Sequence, residues 1–193
     1  MSLIRYARAA LARLNARRFG VRGAIPVGSR IHGPVTMGAG FYSSGPVWIE
    51  AVREYAGECF SPRLVIGRDV STSPRLHISA IEHIEIGDGC LFGENVFISD
   101  HQHGATSGPA QHGPEVPPAR RPLGGNRPVT IAEHCHLGNN VVVLPGARIG
   151  AGAIIGANSV VSGEIPAGTI AVGAPARVVK RWDSASQQWQ RQE

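Results

Sequence analysis

The sequence is poor in aromatic residues and in cysteine, and it has no long hydrophobic run. Aromatic residues make up 6% of the 193 positions, which is unlike a helical bundle with large core side chains. The three cysteines, Cys59, Cys90 and Cys135, form no Cys-x-x-Cys pair, so neither a disulfide framework nor a zinc knuckle is predicted and a reduced cytoplasm is expected. No apolar run approaches the roughly 20 residues that span a bilayer, and no secretory signal is recognisable, so export is not expected.

Glycine, proline and arginine are plentiful instead. The 25 Gly and 14 Pro predict many tight corners. The formal charge of +5 comes largely from arginines near the two ends and favours an anionic partner such as a phosphorylated cofactor. No DNA- or RNA-binding motif accompanies this charge, so a nucleic acid partner is not expected.

Residues 1–20 are predicted to form a basic amphipathic helix. Leu3, Ala7, Leu11 and Leu14 recur at three- and four-residue spacing with arginines between them. Such a helix can lie on an anionic membrane surface, but packing on a neighbouring coil or subunit with the arginines in water is the simpler expectation.

A strict period of six dominates the rest of the chain. The aliphatic positions that follow one another at this spacing are Ile131, Leu137, Val143, Ile149, Ile155 and Val161. Six fits neither one helix nor one alternating strand, so each hexad is interpreted as a short strand plus a corner. Three such sides close a triangular coil with its aliphatic residues inside, and several coils must stack to bury them.

The segments Ile149-Gly-Ala-Gly-Ala and Ile155-Gly-Ala-Asn-Ser-Val-Val resemble the hexapeptide-repeat acyltransferase family. The resemblance extends from about Ile66 to Lys180. It implies an all-β fold, a left-handed parallel β-helix of hexapeptide repeats, with three chains assembled as a homotrimer. It also implies acetyl-CoA as the cosubstrate.

Two segments leave the period and are predicted to be functional excursions from the scaffold. They cover residues 39–62, with several aromatic residues, and residues 104–128, rich in Gly, Pro and Arg. The predicted organisation is a helix over residues 1–20, a β-helix over residues 21–180 and a frayed tail over residues 181–193.

The motif Asp100-His101-Gln102-His103-Gly104 stands where the repeat meets the second excursion. Histidine is well suited to take a proton near neutral pH. The motif resembles that of acetyltransferases that modify bacterial polysaccharide and lipopolysaccharide sugars, and the resemblance assigns the catalytic base to His103. His101 is the second candidate. Asp100 either orients an imidazole or holds the turn.

The other histidines are weighed separately. His77 is expected at an exposed loop or corner. His136 stands where relatives carry an aromatic residue, so it is a candidate for lining the acceptor or thioester pocket. The family's zinc-dependent members carry a His-x4-His pair that this sequence lacks, so no catalytic metal is expected.

The resemblance also implies contacts to coenzyme A. Asn139, Ala157 and Ser162 are expected along the pantetheine arm, which lies in the groove between subunits. Arg177, Lys180 and Arg181 are cations suited to the phosphates of the nucleotide end.

The predicted function is therefore acetyl-CoA-dependent O-acetylation of a sugar or polysaccharide-precursor hydroxyl, by direct transfer with a histidine base. Three rivals stay open: N-acetylation of an amino-sugar nucleotide, acetylation of an antibiotic, and a non-catalytic trimeric scaffold. The acceptor itself is not identified by the sequence.

Overall fold

The computed structural model describes residues 3–108 and 111–192. Residues 3–18 form one helix, α1 (Leu3–Arg18), followed by stacked triangular coils of a left-handed parallel β-helix. Within the described residues, no helix is long and apolar enough to cross a membrane.

Each side of the triangle is one sheet, built mostly from parallel strands of successive coils. Sheet A contains Gly23–Ala24, Phe41–Ser43, Ser71–Thr72, Leu91–Phe92, His136–Leu137, Ile154–Ile155, Thr169–Val172, Arg177–Asp183 and Gln188–Arg191. Sheet B contains Arg30–His32, Trp48–Ala51, His77–Ala80, Phe97–Ser99, Val142–Val143 and Val160–Val161. Sheet C contains Val35–Met37, Arg63–Ile66, His83–Ile86, Val129–Ile131, Arg148–Ile149 and Glu164–Ile165.

The six-residue period corresponds to one side of the triangle, as predicted. Ile131, Leu137 and Val143 lie on sheets C, A and B, and each pairs in register with the residue 18 positions later. All three are buried in one continuous core. Stacking in register puts like aliphatic side chains on top of each other, so every coil covers the apolar interior of the next.

The first predicted excursion is much shorter than residues 39–62. Phe41 is fully buried on sheet A, and Ile49 is buried on sheet B in register with Ile78. The aromatic residues misled the prediction because a large side chain fits the interior of this coil. Only the hairpin of Glu54–Tyr55 and Glu58–Cys59 leaves the triangle here.

The second excursion leaves sheet B after Ser99 and returns to sheet C at Val129. Its first strand, Gln102–His103, pairs antiparallel with Leu123–Gly124, and a short 3-10 helix spans Pro118–Arg120. The excursion thus begins as a hairpin at the corner between sheets B and C.

The C-terminal segment is not frayed within the described residues. Arg177–Asp183 and Gln188–Arg191 pair as an antiparallel hairpin on the last coil. Trp182 and Trp189 face each other across it, with ring centroids 5.3 Å apart. The side chain of Asp183 accepts hydrogen bonds in the turn, and these bonds lower its pKa.

Candidate active site

Asp100 anchors the corner where sheet B gives way to the second excursion. Its side chain is fully buried. The carboxylate accepts backbone N–H bonds from Ile81, Glu82 and His83 of the preceding coil at 2.8–3.0 Å. A buried carboxylate needs several donors to offset its lost hydration, and this corner supplies them. Asp100 therefore holds the turn, which is one of the two roles the sequence suggested.

Asp100 also contacts His101. The Nδ1 atom of His101 lies 2.8 Å from Oδ1 of Asp100 and 3.3 Å from the hydroxyl of Ser99. Because the carboxylate has only lone pairs to offer, Nδ1 carries the proton in this contact. Nε2 of the neutral ring then has a lone pair that can accept a proton. Both roles considered for Asp100 thus occur together, and the imidazole it orients is that of His101.

His103 lies two residues further, on the first strand of the hairpin, and is exposed in the single chain. Its Nδ1 atom is 3.4 Å from the hydroxyl of Tyr55, and the two rings meet edge to face at 5.3 Å. The Tyr55 hydroxyl donates to the carbonyl of Ala119 at 3.3 Å. The 54–59 hairpin and the second excursion therefore meet at His103.

His101 and His103 open onto one groove along the outer face of sheet B, with a volume of about 610 Å³. The groove is lined by Trp48, Glu50, Val52, Glu54, Tyr55, His77, Ser79, Phe97, Ser99, His101, Gln102, His103, Leu123, Leu144 and Pro145. The lining includes both aromatic side chains and hydrogen-bonding groups. This combination suits an acceptor with hydroxyl groups.

The sequence analysis did not predict that Trp48, Glu50 and His77 line this groove. His77 is half-buried and stacks on Trp48, with ring centroids 4.3 Å apart and planes within 10°. Glu50 accepts hydrogen bonds from the indole of Trp48 and the hydroxyl of Ser79, both at 3.0 Å. Trp48 and His77 are in register in neighbouring coils, 29 residues apart, because the 54–59 hairpin lengthens that coil. The expected exposed corner position of His77 is therefore wrong.

Burial lowers the pKa of His77, and the nearby Glu50 offsets this only in part. The nearby His101 lowers it further. In the unfolded chain this imidazole takes a proton near pH 6.5, whereas in the folded protein it resists protonation. The free energy of unfolding therefore contains a contribution that is present above pH 6.5 and is lost as the pH falls through the lowered pKa.

We expect the variant His77→Phe to weaken this pH dependence. Phenylalanine keeps an aromatic ring between Trp48 and Phe97 but takes no proton. Urea unfolding midpoints at pH 7.5 and pH 5.5 measure the effect: the wild-type midpoint should drop more between the two than that of the variant. Equal drops would contradict the assignment.

The residues predicted to bind coenzyme A lie at two corners and on the last hairpin. Asn139 and Ala157 are exposed at successive turns between sheets A and B, where the Asn158 N–H donates to the Asn139 carbonyl at 2.9 Å. Ser162 lies at the corner between sheets B and C. It is one coil further along the stack than Leu144, which lines the groove. Of these three, only Ser162 shares the corner of the Asp100–Gly104 motif.

The predicted phosphate-binding cations share the strand Arg177–Asp183. Arg177 pairs with Val172 and Lys180 with Ile170, so the register places both on one face of the sheet. Arg181 pairs with the buried Thr169 and belongs to the other face. The strand thus offers a pair of cations on one face instead of three.

Two further residues lie outside the groove on sheet B. His136 is exposed on sheet A, so it does not line the groove on sheet B within one chain. Cys59 is exposed at the end of the 54–59 hairpin, whereas Cys90 and Cys135 are buried. Among the described residues, no three His, Cys, Asp or Glu side chains are grouped as for a metal ion.

Comparison with known proteins gives the same fold and repeat. Residues 128–163 match the family described as bacterial transferase hexapeptide (six repeats). The chain is 39% identical over 124 residues to a putative lipopolysaccharide biosynthesis O-acetyl transferase of Escherichia coli, over 64% of this chain and 63% of the relative. It is 30% identical over 135 residues to the galactoside O-acetyltransferase of the same organism, over 69% of this chain and 60% of the relative.

Among solved structures, AntD, an N-acyltransferase from Bacillus cereus in complex with dTDP and coenzyme A, superposes with a TM-score of 0.61 at 22% identity. The match covers 88% of this chain and 89% of that protein. The curated relatives are matched over less than two thirds of their length. In its repeats and its fold, the chain is similar to the hexapeptide-repeat transferases.

Proposed function

We propose that the protein transfers an acetyl group from acetyl-CoA to a hydroxyl of a sugar or polysaccharide precursor. The observation that carries this proposal is the convergence of His103, His101 and Tyr55 on one groove at the mouth of the second excursion. The relatives named as lipopolysaccharide and galactoside O-acetyltransferases support the reaction class.

His103 is the proposed general base, and Tyr55 determines which nitrogen acts. The single proton of the Tyr55 hydroxyl is used on the Ala119 carbonyl, so the Nδ1 atom of His103 donates to the tyrosine oxygen. Nε2 is then unprotonated and can take the proton of the acceptor hydroxyl. The oxygen attacks the thioester carbonyl, the C–S bond breaks, and the imidazolium returns its proton to the departing thiolate of coenzyme A.

Transfer is direct, with no covalent enzyme intermediate. A backbone N–H at the coil edge is proposed to stabilise the oxyanion formed during attack. His101, held by Asp100 in the same tautomer, is the second candidate for the base. With His103 as base, the lone pair of His101 is available to hold a second acceptor hydroxyl.

The groove is open along one side, and His103 is exposed in a single chain. We propose that a homotrimer closes it and that the pantetheine arm enters between subunits along the Ser162 corner. Arg177 and Lys180 are proposed to bind the nucleotide end. Acetyl-CoA is a cytoplasmic metabolite, so the reaction is proposed for that compartment.

Product analysis tests this function. The purified protein is incubated with acetyl-CoA and a panel of sugars, sugar nucleotides and oligosaccharides, and products are examined by mass spectrometry before and after mild alkali. An alkali-labile acetyl ester on a saccharide is expected. An alkali-stable amide on an amino sugar would instead support the N-acetyl alternative.

The variant Tyr55→Phe should lower kcat roughly 3- to 30-fold, part of the factor of about 10²–10⁴ that a positioned base contributes. Without the tyrosine oxygen, Nδ1 of His103 loses its acceptor and the two neutral tautomers compete. The pH profile of kcat should shift, while KM for acetyl-CoA stays unchanged. Tyr42→Phe, an exposed tyrosine on sheet A, is the matched control. An unchanged kcat and pH profile for Tyr55→Phe would remove the tyrosine from the mechanism.

A further inference from the structure

Helix α1 closes the N-terminal end of the coil stack but buries only a narrow side. Ala12, Asn15 and Ala16 are buried, and the Asn15 amide donates to the carbonyls of Ile25 and Pro26, both at 3.0 Å. Leu11 and Leu14, which the sequence placed on the apolar stripe, are 53% and 56% exposed. The stripe therefore lies beside the buried side of the helix and is largely exposed in the single chain.

The apolar surface continues past the helix. A groove of about 720 Å³ separates the helix from the first coils, and Leu11, Pro26 and Val27 line it. Val27 is 67% exposed. Arg8 and Arg13 line the same groove, so apolar and cationic side chains alternate across this end of the molecule. We call Leu11, Leu14, Val27, Arg8, Arg13 and Arg17 the N-terminal surface.

Charge is distributed very unevenly along the chain. Residues 1–49 contain seven of the 19 basic residues, all arginine, and none of the 14 acidic residues, the first of which is Glu50. The remaining 144 residues carry 12 basic and 14 acidic residues, so the net positive charge of the protein resides in the N-terminal quarter. A second copy of this surface placed against it would bring arginines together, which opposes self-association.

We propose that the N-terminal surface docks on an anionic phospholipid bilayer. Leu11, Leu14 and Val27 would enter the boundary between headgroups and acyl chains, while Arg8, Arg13 and Arg17 pair with lipid phosphates. A helix with a lipid-facing apolar stripe and flanking arginines has the composition of an interfacial helix, and its affinity combines buried apolar area with attraction to anionic lipids. The inference does not depend on the proposed acetyl transfer.

Vesicle cosedimentation of the full-length protein tests the docking. Vesicles of phosphatidylcholine alone are compared with vesicles containing 30% phosphatidylglycerol. We expect the partition coefficient for the anionic vesicles to be at least tenfold higher than that for phosphatidylcholine vesicles. The double variant Leu11→Gln/Leu14→Gln should lose at least tenfold of that binding. Val172→Gln, an exposed apolar residue near the opposite end, is the control and should bind like wild type.

Three results would overturn the proposal. The first is no preference for anionic vesicles. The second is full binding by the double-leucine variant, because attraction would then be charge alone. The third is a fall in molar mass by light scattering when both leucines are replaced, which would show that a second copy covers this surface. Circular dichroism of the double variant confirms that the helix and coils remain folded.

Discussion

Replacing His103 with alanine should reduce kcat for acetyl transfer by about 10²- to 10⁴-fold, the contribution expected of a positioned general base. The acceptor hydroxyl would have no group at the mouth of the groove to take its proton. Acetyl-CoA binding should change little, because His103 does not contribute to the proposed pantetheine or nucleotide contacts. Thiol release at saturating acceptor gives kcat, and isothermal titration gives the affinity for coenzyme A.

His32→Ala provides a matched control for this variant. His32 is an exposed histidine on sheet B outside the groove, so its loss should leave kcat near the wild-type value. Comparison with His101→Ala separates the two candidate bases. A loss confined to His101→Ala would transfer the role of base to the imidazole that Asp100 orients.

Replacing Asp100 with asparagine should lower the free energy of unfolding by about 2–4 kcal/mol, the range for removing a buried, charge-assisted acceptor. The carboxylate accepts three backbone N–H bonds and one bond from His101. An amide has one acceptor oxygen, and its NH₂ group would point at backbone donors. The loss should appear as a lower urea midpoint at fixed protein concentration.

Asp69→Asn is the control for the asparagine substitution. Asp69 is exposed at a coil corner with a φ of 54°, a conformation that asparagine adopts readily. The urea midpoint of Asp69→Asn should stay close to that of the wild-type protein. If Asp100→Asn also unfolded at the wild-type midpoint, Asp100 would not be the anchor of the corner.

The repeat could be predicted because each hexad is a local pattern with one physical meaning. An aliphatic residue every six positions specifies three inward-facing sides, and the structure has Ile131, Leu137 and Val143 on sheets C, A and B. The spacing could not predict that this interior also accepts a large aromatic side chain. Phe41 occupies an inward position on sheet A, which made a regular coil look like an excursion.

The motif of the candidate site could be recognised in the sequence, but the residues around it could not. Asp100, His101 and His103 are close in sequence, so the motif was visible. Tyr55 precedes His103 by 48 residues and reaches it only because a short hairpin projects from an earlier coil. Trp48 and His77 meet through coil register, which depends on the length of that hairpin. A deviation from the six-residue period beside an aromatic residue was the available signal.

The C-terminal hairpin shows the same limit. Its two tryptophans are symmetric about a turn of Ser, Ala and Gln, a spacing typical of a cross-strand pair. The polar composition of the turn suggested fraying instead. The segment is ordered as a hairpin because its first strand pairs with the last coil and covers an otherwise open sheet edge.

Acceptor-dependent thiol release from acetyl-CoA is the measurement that tests the central claim most directly. We predict that the wild-type protein releases coenzyme A rapidly only when a saccharide hydroxyl acceptor is present, and that the product carries one acetyl ester per thiol released. Failure of the wild-type protein to bind acetyl-CoA, or release of thiol at one unchanged rate with every acceptor, would contradict it.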